Sequence, residues 1–209
     1  VRNTRALVKG KPSSNVLLYG DAGTGKSTTV KSVAMQFAKD GLRLIEVKKR
    51  DLYQLPELLD GLSRNPLKFI IFIDDLSFSS NDDNFAALKA ILEGSVSSAN
   101  GNISVYATSN RRHLIKETFS DRQGDDIHEN DTKEELRSLS ARFGLTITFS
   151  RPDKDLFLSI IDDLAKYYGV KMEKEELHIK AEAFALRASG RSPRVAKQFI
   201  KSLAADVIE

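Results

Sequence analysis

The sequence predicts an α/β fold: a parallel five-stranded sheet with a phosphate-binding loop, followed by a small helical appendage. Three observations carry that expectation. Short apolar runs alternate with longer amphipathic ones over the first 150 residues, the pattern of a parallel sheet with helical crossovers. A glycine-rich octapeptide, Gly20 to Ser27, stands between one such run and the first helical pattern. After Phe149 the strand-like runs stop and three helical patterns follow.

The first strand is expected at Val16–Tyr19 and the first helix over about 26–39. Arg43–Val47 reads as a strand interrupted by Glu46, and 51–64 as a helix. The run Phe69-Ile70-Ile71-Phe72-Ile73, within Lys68–Ile73, is continuously apolar, as a strand buried on both faces should be. A helix over 83–94, a strand at Ile103–Thr108, a helix over 132–142 and an alternating strand at Leu145–Phe149 complete the set. Arg111–Asp131 is long, polar and charged; a loop of that length is functional or disordered. Arg43–Val47 falls between the loop strand and the acidic strand Lys68–Ile73, leaving room for Ile103–Thr108 between those two. The polar interruptions in Arg43–Val47 and Leu145–Phe149 suit sheet edges. The resulting strand order is 5-1-4-3-2.

Beyond Arg151-Pro152 three helices are expected. Phe157, Ile160, Ile161, Leu164 and Tyr168 share one face of the first, which Gly169 can end. Leu177, Ala181, Phe184 and Ala188 do the same in the second, which Gly190 can end, and Val195, Phe199 and Leu203 in the third. The division is therefore 1–150 for an α/β domain and 151–209 for a small three-helix domain.

Composition excludes several classes. With 41% hydrophobic and 29% charged residues, the 209-residue chain is expected to be globular. No run approaches the ~20 apolar residues of a membrane span. The absence of cysteine excludes disulfides, thiolate zinc sites and cysteine catalysis, and fits a reducing compartment; a cytoplasmic location is expected. Net charge is +3, unevenly spread: +8 over residues 1–50, −6 over 51–150 and +1 over 151–209. The basic start reads as a solvated face or as a surface meeting phosphate. The chain begins at Val1 and reads as a fragment.

Gly20-Asp21-Ala22-Gly23-Thr24-Gly25-Lys26-Ser27 matches the P-loop pattern G-x-x-x-x-G-K-[ST]. Glycines let backbone N–H groups turn toward an anion, and the following helix adds the positive end of its dipole. Asp21, Ala22, Gly23, Thr24, Gly25, Lys26, Ser27 and Thr28 are therefore the expected ATP-binding residues. Lys26 should reach the β- and γ-phosphates, and the Ser27 hydroxyl should hold Mg²⁺. Asp74 and Asp75 end a buried strand, where carboxylates of a parallel sheet face the ligand crevice. Asp74 suits Mg²⁺ held through water. Asp75 suits orienting or deprotonating the attacking water.

Gly20–Thr28, Asp74-Asp75-Leu76-Ser77-Phe78, Ala107-Thr108-Ser109-Asn110-Arg111-Arg112-His113 and Leu139-Ser140-Ala141-Arg142-Phe143-Gly144 carry a resemblance. The chain resembles the AAA+ ATPases from about Asn3 to Leu203. More narrowly, it looks like a bacterial AAA+ family catalogued as a domain of unknown function. The resemblance implies a P-loop NTPase sheet of AAA+ type with a C-terminal lid. It implies that Asn110 rather than Ser109 aligns the lytic water, and that Arg142 reaches the ATP of a neighbouring subunit. It also implies that Arg194 acts from the lid on the nucleotide. Independently, Ser192 can cap and Pro193 can open a helix whose first turn holds Arg194. The start of an adenine pocket is placed near Asn3 and Thr4 by position alone.

Two departures stand out. AAA+ proteins commonly carry Asp-Glu where this chain has Asp74-Asp75, a pair also similar to that of helicase loaders. No aromatic-hydrophobic-glycine pore loop follows Arg43–Val47; Leu52-Tyr53 comes nearest. The expected function is a Mg²⁺-ATP-dependent ATPase working as a homo-oligomer, in a ring or helical assembly, on a protein or nucleic-acid client. The alternatives are a nucleotide-gated switch with slow hydrolysis and a DNA-associated loader.

Overall fold

The computed structural model describes residues 1–76, 84–92, 101–110, 141–188 and 190–205. Arg111–His113, the stretch to Asp131, Ser77, Phe78 and most of the expected 132–142 helix lie outside these. The chain falls into two compact units: Val1–Gly20 with Lys26–Thr148, and Asp21–Gly25 with Phe149–Glu209.

The first unit is built on strands β1 (Val16–Gly20), β2 (Leu42–Val47), β3 (Lys68–Ile73), β4 (Ile103–Ser109) and β5 (Leu145–Phe149). Their order is β2-β3-β4-β1-β5, the expected one. β2 with β3, β3 with β4 and β1 with β4 pair in parallel. At the far edge Leu145 N–H donates to Asn15 O (3.1 Å), which sets β5 beside β1. The central position of β3 and β4 follows from their side chains. Ile70 to Ile73 are wholly buried and all seven residues of β4 are buried, as strands covered on both faces require. The edge strands β2 and β5 carry the polar interruptions.

Helix α1 (Arg2–Val8) is absent from the sequence expectations, because its basic stretch masks a two-residue buried face, Thr4 and Leu7. It is pinned by polar contacts. Asn3 Nδ2 donates to Ser14 O (2.9 Å) and to the Tyr106 hydroxyl (3.0 Å), and Thr4 Oγ1 lies 2.9 Å from the same hydroxyl. The two side chains assigned by position to an adenine pocket thus serve to anchor α1 on β4. Helix α2 (Lys26–Gln36) gives way to a 3₁₀ turn at Ala38–Asp40. The segment expected as one helix over 51–64 starts as a 3₁₀ turn, Lys49–Gln54, and becomes α3 (Leu55–Ser63) only where Pro56 opens the first turn. Leu52 is wholly buried in the core, so of the Leu52-Tyr53 pair only Tyr53 is exposed. Helix α4 (Asn84–Ala90) places Leu88 in that core.

The second unit contains α5 (Lys154–Tyr168), α6 (Lys174–Arg187) and α7 (Pro193–Ala204). Their buried faces, including Phe157, Ile161, Leu177, Ala181, Val195, Phe199 and Ile200, form one cluster. Gly169 ends α5 in the left-handed conformation. Among the described residues, no helix is long and apolar enough to cross a membrane, and no buried side-chain nitrogen or oxygen lacks a hydrogen-bond partner.

Candidate functional site

In the first unit, the C-terminal ends of β1, β3 and β4 converge on Lys26 and Ser27 at the start of α2. Parallel order dictates this, since all three strands deliver their last residues to one edge. Lys26 is 6% exposed, and its Nζ donates to Gly20 O (2.9 Å) and to Asn110 Oδ1 (3.0 Å). Ser27 Oγ donates to Asp74 Oδ1 (2.6 Å). Asn110 Nδ2 donates to Asp75 Oδ1 (2.7 Å). Side chains more than eighty positions apart in sequence thus form one continuous chain, Lys26–Asn110–Asp75, beside the Ser27–Asp74 pair. Asp75 has φ 55°, the left-handed region that aspartate tolerates better than most residues.

Ser27 and Asp74 present a hydroxyl and a carboxylate, hard oxygen donors. Mg²⁺ sites typically use one or two protein carboxylates and leave the remaining positions to phosphates and water. The donor set fits Mg²⁺. Ser109, the alternative to Asn110, is wholly buried.

Within the second unit, the loop tip Asp21–Gly25 packs with the C-terminal residues. Asp21 N–H donates to Phe149 O (3.1 Å), and Arg194 N–H donates to Gly23 O (3.2 Å). Asp21 Oδ1 pairs with Arg151 Nε at 3.6 Å. Thr24 Oγ1 closes the turn on Asp21 O (2.7 Å). Gly23 has φ +78°, which favours glycine, and a Cβ there would make tight 3.2 Å contacts with Ser192 Oγ and Arg194 Cβ. Ser192 Oγ accepts from Val195 N–H (3.2 Å), capping α7 and setting Arg194 in its first turn. Ala22 is exposed within this loop, and Thr28 lies in the first turn of α2.

Arg142 stands apart. It is half-buried in the turn that leads into β5, next to Phe143, which is 3% exposed and anchored in the core. Because β5 runs parallel to β1, Arg142 lies at the opposite edge of the sheet from Lys26. A five-residue strand separates the two edges by about 16 Å. Glu134 and Glu135, its possible ion-pair partners, lie outside the described residues.

Strand order and phosphate loop define the class: this is a P-loop fold of the AAA+ type. The chain belongs to the family described as "Protein of unknown function (DUF815)", whose profile matches residues 1–207. Comparison with curated protein sequences gives no match. Among solved structures, the chain is similar to a single-residue variant of RuvB from Thermotoga maritima, with TM-score 0.62, 20% identity, and coverage of 95% of this chain and 57% of that one. It is also similar to replication initiator DnaA bound to AMPPCP and single-stranded DNA (0.62, 17%, 95% and 58%). The FIGL-1 AAA domain in complex with ADP gives 0.58, 20%, 93% and 61%. The chain spans less than two thirds of each of these.

Proposed function

We propose that this chain is a Mg²⁺-dependent ATPase of the AAA+ class, cleaving ATP to ADP and phosphate by in-line attack of water. The observation that carries this reading is the convergence of Lys26, Ser27, Asp74, Asp75 and Asn110 in one hydrogen-bonded cluster. The backbone of Asp21–Gly25 cradles the phosphates, and Thr28 adds to that binding. Lys26, which donates to two neutral oxygens, gives them up for charged phosphate oxygens, which are stronger acceptors. Ser27 and Asp74 hold the cation. When bound, it neutralises charge on the β- and γ-phosphates. Asn110 aligns the lytic water and Asp75 orients it or takes its proton.

Arg142 acts on the ATP of a neighbouring subunit. Its position at the opposite sheet edge supports this, because its side chain cannot cover the ~16 Å to its own Lys26. A guanidinium supplied in trans stabilises charge developing on the transferred phosphoryl group. The active assembly is accordingly a homo-oligomer, a ring or helical array. Arg194, in the first turn of α7 beside the loop tip, reads the nucleotide, and loss of the γ-phosphate releases the lid to move a partner. RuvB, DnaA and FIGL-1 share the fold, and two of them are described with adenine nucleotides. The client is a protein or a nucleic acid; the basic first fifty residues motivate the second, a DNA-associated loader, to be read as steeply salt-dependent DNA binding.

A second reading, a nucleotide-gated switch with slow hydrolysis, is favoured by one observation. The Asp75 carboxylate is one methylene shorter than glutamate and is already engaged by Asn110. Single-turnover rates separate the two. The decisive variant for nucleotide use is Lys26→Ala: ATP binding is expected to be lost, and unchanged affinity would remove both readings.

A further inference from the structure

Thr108, on β4, is 2% exposed. Its hydroxyl and its carbonyl both serve the segment that follows β3. The hydroxyl donates to Asp74 Oδ1 (2.5 Å) and accepts from the Asp75 N–H (2.9 Å). The carbonyl accepts from the Leu76 N–H (2.7 Å). Three consecutive residues therefore hang on one threonine. The hydroxyl orientation is fixed by chemistry: an ionised carboxylate can only accept and an amide N–H can only donate, so the single hydroxyl hydrogen points at Asp74.

Two consequences follow for the acidic pair. Asp74 Oδ1 accepts from both Ser27 and Thr108. If Ser27 turns its oxygen to a cation, Thr108 still holds the carboxylate in place. Asp75 is the one non-glycine residue with positive φ among those described, and its N–H is tied to the same hydroxyl. In that conformation its carboxylate meets Asn110.

We propose that Thr108 is the positioning residue for both carboxylates: its one hydroxyl aims Asp74 at the Ser27 hydroxyl and locks Asp75 in the left-handed turn facing Asn110. The assignment rests on the ATPase reading and goes beyond it, because buried Thr108 acts through Asp74 and Asp75. Groups that orient metal-binding side chains typically change affinity or activity by about 10–100-fold when removed.

The test compares Thr108→Val, which keeps the shape and removes the hydroxyl, with Thr108→Ser, which keeps the hydroxyl. Thr108→Ala is the second variant should valine not fold. A non-hydrolysable ATP analogue is titrated with and without Mg²⁺, alongside turnover. Thr108→Val is expected to bind the analogue like the parent without Mg²⁺, to lose about 10–100-fold of the Mg²⁺-dependent gain and a similar factor in kcat, and to be rescued by Thr108→Ser. A Mg²⁺ dependence and kcat within about two-fold of the parent, or a loss that serine does not restore, overturns the assignment. If the parent itself binds no ATP, the ATPase reading fails instead. The assignment is then read from a crystal structure of Thr108→Val, where Asp75 leaving positive φ supports it and Asp75 keeping φ near 55° overturns it.

Discussion

Lys26 is a nearly buried ammonium resting on a carbonyl and an amide oxygen. Its sequence signal is strong because the P-loop pattern specifies backbone conformation as well as chemistry. Asp74 is read from its place ending an all-apolar run downstream of the phosphate loop, since alone such an aspartate serves as readily in a turn or a helix cap. Asp75 is not: its left-handed backbone and its bond to Asn110 depend on β4, more than thirty residues downstream. Thr108 stands in the sequence only as part of a motif string, because a threonine in a strand carries no distinguishing pattern. Asp75→Asn is expected to leave ATP affinity unchanged while lowering turnover by about 10²–10⁴-fold, measured by steady-state phosphate release. Arg142→Ala should likewise keep binding and lose turnover; intact turnover removes its role in trans. Gly23→Ala is expected to destabilise the loop by about 1–2 kcal/mol, from its positive φ alone, in chemical denaturation.

Among the elements, the C-terminal helices are the most legible. Gly169 as a left-handed cap and Ser192-Pro193 as a helix start are punctuation that acts locally. Ser192→Ala should cost about 1 kcal/mol, the usual loss for a removed N-cap. Helix α1 and the 3₁₀ start before α3 are less legible, because tertiary contacts decide them: Tyr106 holds α1, and buried Leu52 tightens the turn before Pro56. The turn before α7 is also held by a fork. Arg191 Nε and Nη2 donate to Glu182 Oε1 (2.9 Å) and Oε2 (2.5 Å). Hydrogen bonding to Arg191 outweighs desolvation and keeps the Glu182 carboxyl below its ordinary value. A group with a depressed folded pKa stabilises above its unfolded pKa and loses that contribution as pH falls through the folded one. The melting temperature of the parent should therefore fall more steeply than that of Glu182→Gln below about pH 4.3, and the two should run parallel above about pH 6.

For the whole molecule, strand order is legible because edge and centre differ in composition. β3 is uninterrupted by charge after Lys68, whereas β2 carries Glu46. The allegiance of the loop tip is not legible. Asp21–Gly25 clusters with the C-terminal helices through backbone hydrogen bonds that no side-chain pattern announces. The helical unit has its own core, so Phe157→Ala should cost about 3–5 kcal/mol there, read by hydrogen exchange of α5 to α7. The most direct test of the proposed function is ATP turnover per subunit against protein concentration, with and without Mg²⁺ and with Lys26→Ala as control. Mg²⁺-dependent turnover that rises with concentration and vanishes in Lys26→Ala is the expected result. Turnover indistinguishable from Lys26→Ala at every concentration contradicts an ATPase assembled between subunits.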